Sequence, residues 1–254
     1  MNDDRPLFTP GGDDALIYFV VFGTDASRLA ISREAHLVDE IPDGVDAHQL
    51  GREFVESFFE APMGDVLREQ DPELAAAALA CTTCLVITGE VADPPTLAYL
   101  RNCVGVVTAA LDAGGVAVLS LQSFGLFSPE RWRADIFGTG LDAATQLAVI
   151  LYSEEEDGPA PAGSIWVHTR GMRVFGRPDL SIRGVPADEL DIAAKVVNVL
   201  ITNQAKGLRI QDGAVMEVGP PLDMLAFRLR GHHDDPDFNN LHLEVAWPDL
   251  APTG

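Results

Sequence analysis

The sequence predicts an α+β protein with a mixed sheet and helices, in two α/β halves packed together. Three observations carry this. One is a continuous apolar run of strand length near the start, Ala15 to Gly23 (ALIYFVVFG), suited to a central strand covered on both faces. The second is a strand–helix–strand passage: 84–91 (CLVITGEV) and 116–121 (VAVLSL) bracket a helical stretch carrying Tyr99, Leu100, Val104 and Val107. The third is a change of texture in the second half, where short strands follow one another around one clear helix.

The elements are taken in chain order. Residues 1–14 read as a flexible tail of Asp, Gly and Pro with little to bury. After the strand at 15–23, a second strand is expected at 35–41. A helix over 46–60 follows, since Leu50, Phe54, Val55 and Phe58 recur at helical spacing. Three more helices share one opening: Asp71-Pro72-Glu73, Asp93-Pro94-Pro95 and Ser128-Pro129-Glu130 each place a capping side chain before a proline. They predict helices over 71–80, 94–113 and 129–136. The middle one is apolar almost all round, so it is expected to be covered on more than one side. With strands at 84–91 and 116–121 on either side, it predicts a right-handed crossover and a locally parallel sheet.

The halves, 15–140 and 141–250, meet near 138–142, with one continuous domain as the alternative. In the second half a meander is expected over 147–152, 164–170 and 180–183. Glu154-Glu155-Glu156-Asp157-Gly158-Pro159 forms an exposed acidic turn within it. The helix at 188–206 has acids in its first turn, Lys206 in its last and Gly207 as its stop. Strands at 215–218, 226–230 and 241–247 end the fold.

Charge excludes several function classes. The chain carries 39 Asp and Glu against 17 Lys and Arg, a formal charge of -22. A polyanion is repelled by such a surface, so nucleic-acid binding is not expected, and neither is docking to an anionic membrane. Two readings of the charge remain open: colloidal solubility, or recognition of a partner protein with a basic surface. No stretch reads as a membrane span. The polar start and three cysteines point to a cytoplasmic protein with reduced thiols.

Candidate chemistry is sparse. Cys81 and Cys84 have CxxC spacing, but they close a helix and enter a strand, the reverse of a redox pair, and Cys103 alone does not complete a zinc set. Buried structural thiols are therefore expected, and no metal. The run Gly231-His232-His233-Asp234-Asp235-Pro236-Asp237, with His242 beyond it, carries metal-type side chains but also the composition of a hairpin loop, which is the preferred reading. Nothing in the sequence implies a cofactor: there is no phosphate loop, dinucleotide fingerprint, HExxH or GxSxG motif.

The segment from His168 to Asp179 is a local reversal of sign. Arg170, Arg173 and Arg177 lie within eight positions, beside His168. Arginine forks bind carboxylate and phosphate, so these four residues are a candidate anion site. The competing reading is internal, with the arginines paired to the protein's own acids.

Trp166-Val167-His168-Thr169-Arg170-Gly171-Met172 followed by Phe175-Gly176-Arg177-Pro178-Asp179-Leu180 resembles an uncharacterised bacterial domain-of-unknown-function family, and 84–121 is similar to the same kind of protein. The resemblance implies a bacterial, cytoplasmic setting and brings no activity or cofactor. Fifteen arginines against two lysines suit a GC-rich genome. Two functions follow as expectations. The leading one is a non-enzymatic interaction protein with an acidic surface, in an antitoxin-like or immunity-like role. The alternative is a binder or enzyme for a phosphorylated or carboxylated small molecule, using His168, Arg170, Arg173 and Arg177.

Overall fold

The computed structural model describes residues 3–154, 160–219 and 222–248. The first half runs β1 (Ala15–Phe22), α1 (Arg33–His36), β2 (Val45–Gly51), α2 (Arg52–Ser57), α3 (Met63–Gln70), α4 (Pro72–Leu79), β3 (Thr83–Val91) and α5 (Ala98–Asp112). It continues through β4 (Ala117–Ser120), β5 (Gly125–Phe127), α6 (Pro129–Arg131) and a π-helical turn Trp132–Phe137, and α7 (Ala143–Gln146) opens the second half. The second half holds β6 (Ala148–Ser153), β7 (Ile165–Arg170), β8 (Asp179–Val185), α8 (Leu190–Ala205), β9 (Val215–Gly219), β10 (Asp223–His232) and β11 (Asn240–Val245). The fold is α+β, as the sequence predicts, with two sheets.

β1 is the centre of the first sheet, whose order is β2-β3-β1-β4-β5. Its side chains alternate between two cores. Ile17, Phe19 and Val21 face α5, while Val20 and Phe22 join Val55, Phe58 and Leu67 from α2, α3 and the turn between them. The apolar run is therefore buried on both sides, as expected. Twelve of the fifteen residues of α5 are buried, because the helix lies between this sheet and the second half. The same core continues into Val167, Leu180, Ile182 and Leu243 of the second sheet and Val197, Leu200 and Ile201 of α8.

Several expectations are corrected. β3 and β4 are not neighbours. Both pair antiparallel with β1, which lies between them, so they point the same way without a shared ladder. The predicted helix at 46–60 is a strand and a shorter helix. Residues 45–51 pair with β3 along seven positions, and the helix begins only after Gly51, whose extended backbone ends the strand. The apolar spacing was true of the 52–57 stretch alone. The strand expected at 35–41 is replaced by α1, capped by the Ser32 hydroxyl and ended by Leu37 in the left-handed region. The helix at 129–136 holds its span but shifts to π hydrogen bonding, with Trp132 Nε1 donating to Thr108 Oγ1 of α5 at 3.1 Å.

The segment at 3–14, read as a flexible tail, is anchored to the body. Leu7 and Thr9 donate from their backbone to the carbonyls of Lys206 and Gly207. Arg5 is buried, and its guanidinium donates to the carbonyls of Pro94, Phe175, Gln204 and Ala205, bridging the two halves.

The second sheet has the order β6-β7-β8-β11-β10-β9 and is mixed, with β8 and β11 parallel and the other pairs antiparallel. The acidic turn lies outside the described residues beyond Glu154, which is buried and pairs with Arg183 at 2.9 Å. Among the described residues, no helix is long and apolar enough to cross a membrane.

Candidate functional site

The segment His168–Asp179 folds as the end of β7, a 3-10 turn at Met172–Phe175, and the start of β8. Gly171 and Gly176 both sit at positive φ, which lets the chain reverse tightly at each end of the turn. The four candidate side chains leave this segment in different directions.

Arg177 goes inward. Its Nη1 donates to Asp93 Oδ1 at 2.8 Å and to the Gly176 carbonyl at 2.7 Å. Nη2 reaches the carbonyls of Gly207 at 2.9 Å and Thr9 at 3.3 Å, and Nε that of Leu208 at 3.2 Å. Asp93 also accepts from the amides of Gly11 and Gly12 at 2.8 and 3.0 Å. Asp93 was expected to cap a helix at 94, but α5 starts at Ala98 and the carboxylate serves this node instead. Burial works against its charge, yet Arg177 and the two amides outweigh that and hold its pKa below the ordinary carboxylate range. A Cβ on Gly12 would collide with the Arg177 guanidinium and the Asp93 carboxylate, so any larger residue at this point of the 3–14 strap would displace the node.

Arg170 and Arg173 turn toward the 233–239 connection between β10 and β11. Arg170 donates to the carbonyls of Pro236 and Asp237 at 3.1 and 2.8 Å, and its guanidinium stacks on the Phe124 ring at 3.9 Å. Arg173 reaches the Asn239 carbonyl at 3.3 Å and Glu90 at 3.6 Å. The His-Asp-rich run is thus the hairpin connection that the turn reading expects, held by arginines.

His168 is buried in an aromatic stack. Trp166 lies 4.4 Å from its ring, Phe238 5.1 Å and Tyr152 5.7 Å, and neither ring nitrogen has a hydrogen-bond partner of good geometry. Burial pushes its pKa down to about 4, with the Thr169 backbone and Asp237 offsetting part of the effect, so the imidazole is neutral at pH 7.

Asp179 is the residue that the sequence did not single out. Fully buried, it accepts from Thr169 Oγ1 at 2.8 Å, the Met172 amide at 3.2 Å and Asn240 Nδ2 at 2.9 Å. Burial raises its pKa to about 6 against those three donors and the Gly171 amide. An aspartate opening a strand between apolar neighbours is the one signal that could have marked it.

The arrangement brings the four residues together along the chain but not around a common opening. A cleft of about 420 Å³ lies beside Phe124, lined by Ser123, Arg131, Asp135, Thr145 and Leu147 among others, and by none of the four. A second, of about 410 Å³, is bordered by Gly12, Gly176, Arg177 and Arg209, with the Arg177 side chain itself buried. No family model matches the chain, and neither a curated protein nor a solved structure is similar to it. The family resemblance therefore rests on the 166–180 and 84–121 patterns of the sequence.

The cysteines are free thiols. Cys84 and Cys103 are buried, and burial raises their pKa to about 11 and about 12; partly buried Cys81 is raised for the same reason. Among the described residues no three His, Cys, Asp or Glu side chains gather as a metal site would.

These contacts set an expectation for anions. Millimolar phosphate or citrate should leave the melting temperature of the parent protein unchanged, because all three guanidinium nitrogens of Arg177 and Nη1 of Arg170 are already directed at internal acceptors. Thermal melts with and without each anion check this. A rise with anion that disappears in Arg170→Ala or Arg173→Ala would instead support the small-molecule reading.

Proposed function

We propose that this is a non-enzymatic interaction protein that engages a partner with a basic surface, an antitoxin-like or immunity-like role being one concrete form. The observation that carries this reading is how the cations are used. Arg5, Arg170 and Arg177 are turned into the interior, where most of their acceptors are neutral backbone carbonyls. Among the described residues the buried arginines are nearly matched by the buried acids Glu154 and Asp179, so the outer surface carries essentially the whole net charge of -22. A surface of one sign attracts the opposite sign over a screening length and speeds its encounter.

The test uses poly-lysine and a DNA duplex as probes, with calorimetric titration from low salt to about 0.5 M, where screening confines the field to a few ångströms. Poly-lysine is expected to associate with an affinity that falls steeply with salt, and DNA not to associate at all. Indifference of the poly-lysine affinity to salt, or comparable binding of DNA, would refute the reading.

A further inference from the structure

The second sheet ends on β6, and among the described residues no strand pairs with that edge. A sheet edge offers unpaired N–H and C=O groups, and proteins ordinarily protect it with lysine, proline, a bulge or a covering element. β6 reads Ala-Val-Ile-Leu-Tyr-Ser, with no charge and no proline, and pairs with β7 in unbroken register from Ala148↔Arg170 to Ser153↔Ile165. The other edge, β9, carries Glu217 and meets β10 through a register shift. Val149, Leu151 and Tyr152 of β6 are 52%, 55% and 53% exposed. Alternation puts the first two on one face and Tyr152 on the other, so both faces of the edge present apolar surface.

The hydrogen-bond phase is fixed too. The Glu154 amide donates to the Ser164 carbonyl at 2.8 Å. By antiparallel alternation, the backbone groups of Val149, Leu151 and Ser153 point away from β7 into the open edge.

We propose that β6 accepts an extended segment of a basic partner as an added strand. The inference rests on the basic-partner reading above and gives it a place and a geometry. Main-chain pairing at 149, 151 and 153 supplies affinity, and apolar side chains at alternate positions cover Val149 and Leu151 on one face. Charge selects the occupant. A second copy would bring two chains of -22 edge to edge, whereas lysines or arginines flanking the added segment meet the acidic surface.

The probe is a fluorescent peptide of alternating Val and Thr with lysines at both ends, beside a glutamate-ended twin, titrated against the full chain. The lysine-ended peptide is expected to bind, the twin to bind far more weakly, and the amides of Val149, Leu151 and Ser153 to slow their hydrogen exchange. Leu151→Lys, which charges the edge, and Ser153→Pro, which removes one outward N–H, should each weaken binding about tenfold or more. Melts of both variants show that they fold. Undiminished binding to both overturns the strand proposal and leaves the basic-partner reading standing, as does poly-lysine association without peptide binding. Failure of both probes removes both. A dimer of the parent in sedimentation that Leu151→Lys dissolves would make the occupant a second copy and overturn the proposal.

Discussion

Replacing Arg177 with alanine is expected to destabilise the protein by about 3–5 kcal/mol, the range for breaking a buried ion pair by removing one partner. In a chain of this size that is a fall in melting temperature of roughly 10 °C. The change leaves the Asp93 carboxylate with only the Gly11 and Gly12 amides and removes a donor from the carbonyls of Gly176, Gly207, Thr9 and Leu208. Since those carbonyls belong to three separate segments, the damage is expected to spread to the strap at 3–14 and to the end of α8. A double-mutant cycle with Asp93→Ala separates the pair from the carbonyl bonds: the double variant should cost less than the sum of the singles. A loss of under about 1 kcal/mol for Arg177→Ala, measured by denaturant titration, would contradict this account. Acid weakens the same node. The Asp93 pKa is depressed in the folded state, so its contribution is present above the unfolded carboxylate value and is lost as pH falls through the folded one.

Opposite pH slopes are expected when His168 and Asp179 are altered separately. His168 titrates at about 4 in the fold against about 6.5 in the unfolded chain. The unfolded state therefore binds the extra proton between those values, and stability falls as pH is lowered through that window. Asp179 titrates at about 6 against the ordinary aspartate value of 3.8, so the native state holds the extra proton and stability falls as pH is raised through nearly the same window. Each effect is worth about 3 kcal/mol, and in the parent they largely cancel. His168→Phe, which keeps a ring in the stack, should leave a protein that loses stability from pH 4 to 6. Asp179→Asn should leave one that loses stability from pH 6.5 to 4. The second change also sets two donors face to face at Asn240, which displaces its whole curve without altering the slope. Denaturant midpoints across pH 4–7 read the slopes directly. Parallel slopes in the two variants would contradict the assignment.

Local signals were legible where local physics decides. Asp71 and Ser128 cap the helices they were expected to cap, and the uninterrupted apolarity of β1 and α5 correctly marked elements covered on two sides. Errors arose where a distant partner decides. Nothing within 45–51 announces a strand, because what makes it one is the ladder to β3 some forty positions later. The acid at Asp93 was assigned to the helix next to it, while its donors come from Gly11, Gly12 and Arg177. Composition located the arginine cluster but not its purpose, since most of the acceptors are backbone carbonyls. Carbonyls occur at every residue and leave no mark in a sequence.

The position of β1 between β3 and β4 also constrains how the chain acquires its structure. Its ladder partners begin near Cys84 on one side and Ala117 on the other, so the most apolar strand of the first half is synthesised long before either neighbour exists. During that interval ALIYFVVF has the makeup of a segment that adds to foreign strands: strongly β-forming, uncharged and free of proline. Closing the sheet then requires loops of some seventy and one hundred residues, contacts that form slowly because their entropy is lost before they reward the chain. Newly made protein is therefore most vulnerable to aggregation while its N-terminal third waits for β4, and a chaperone that masks this one strand would protect the whole first half.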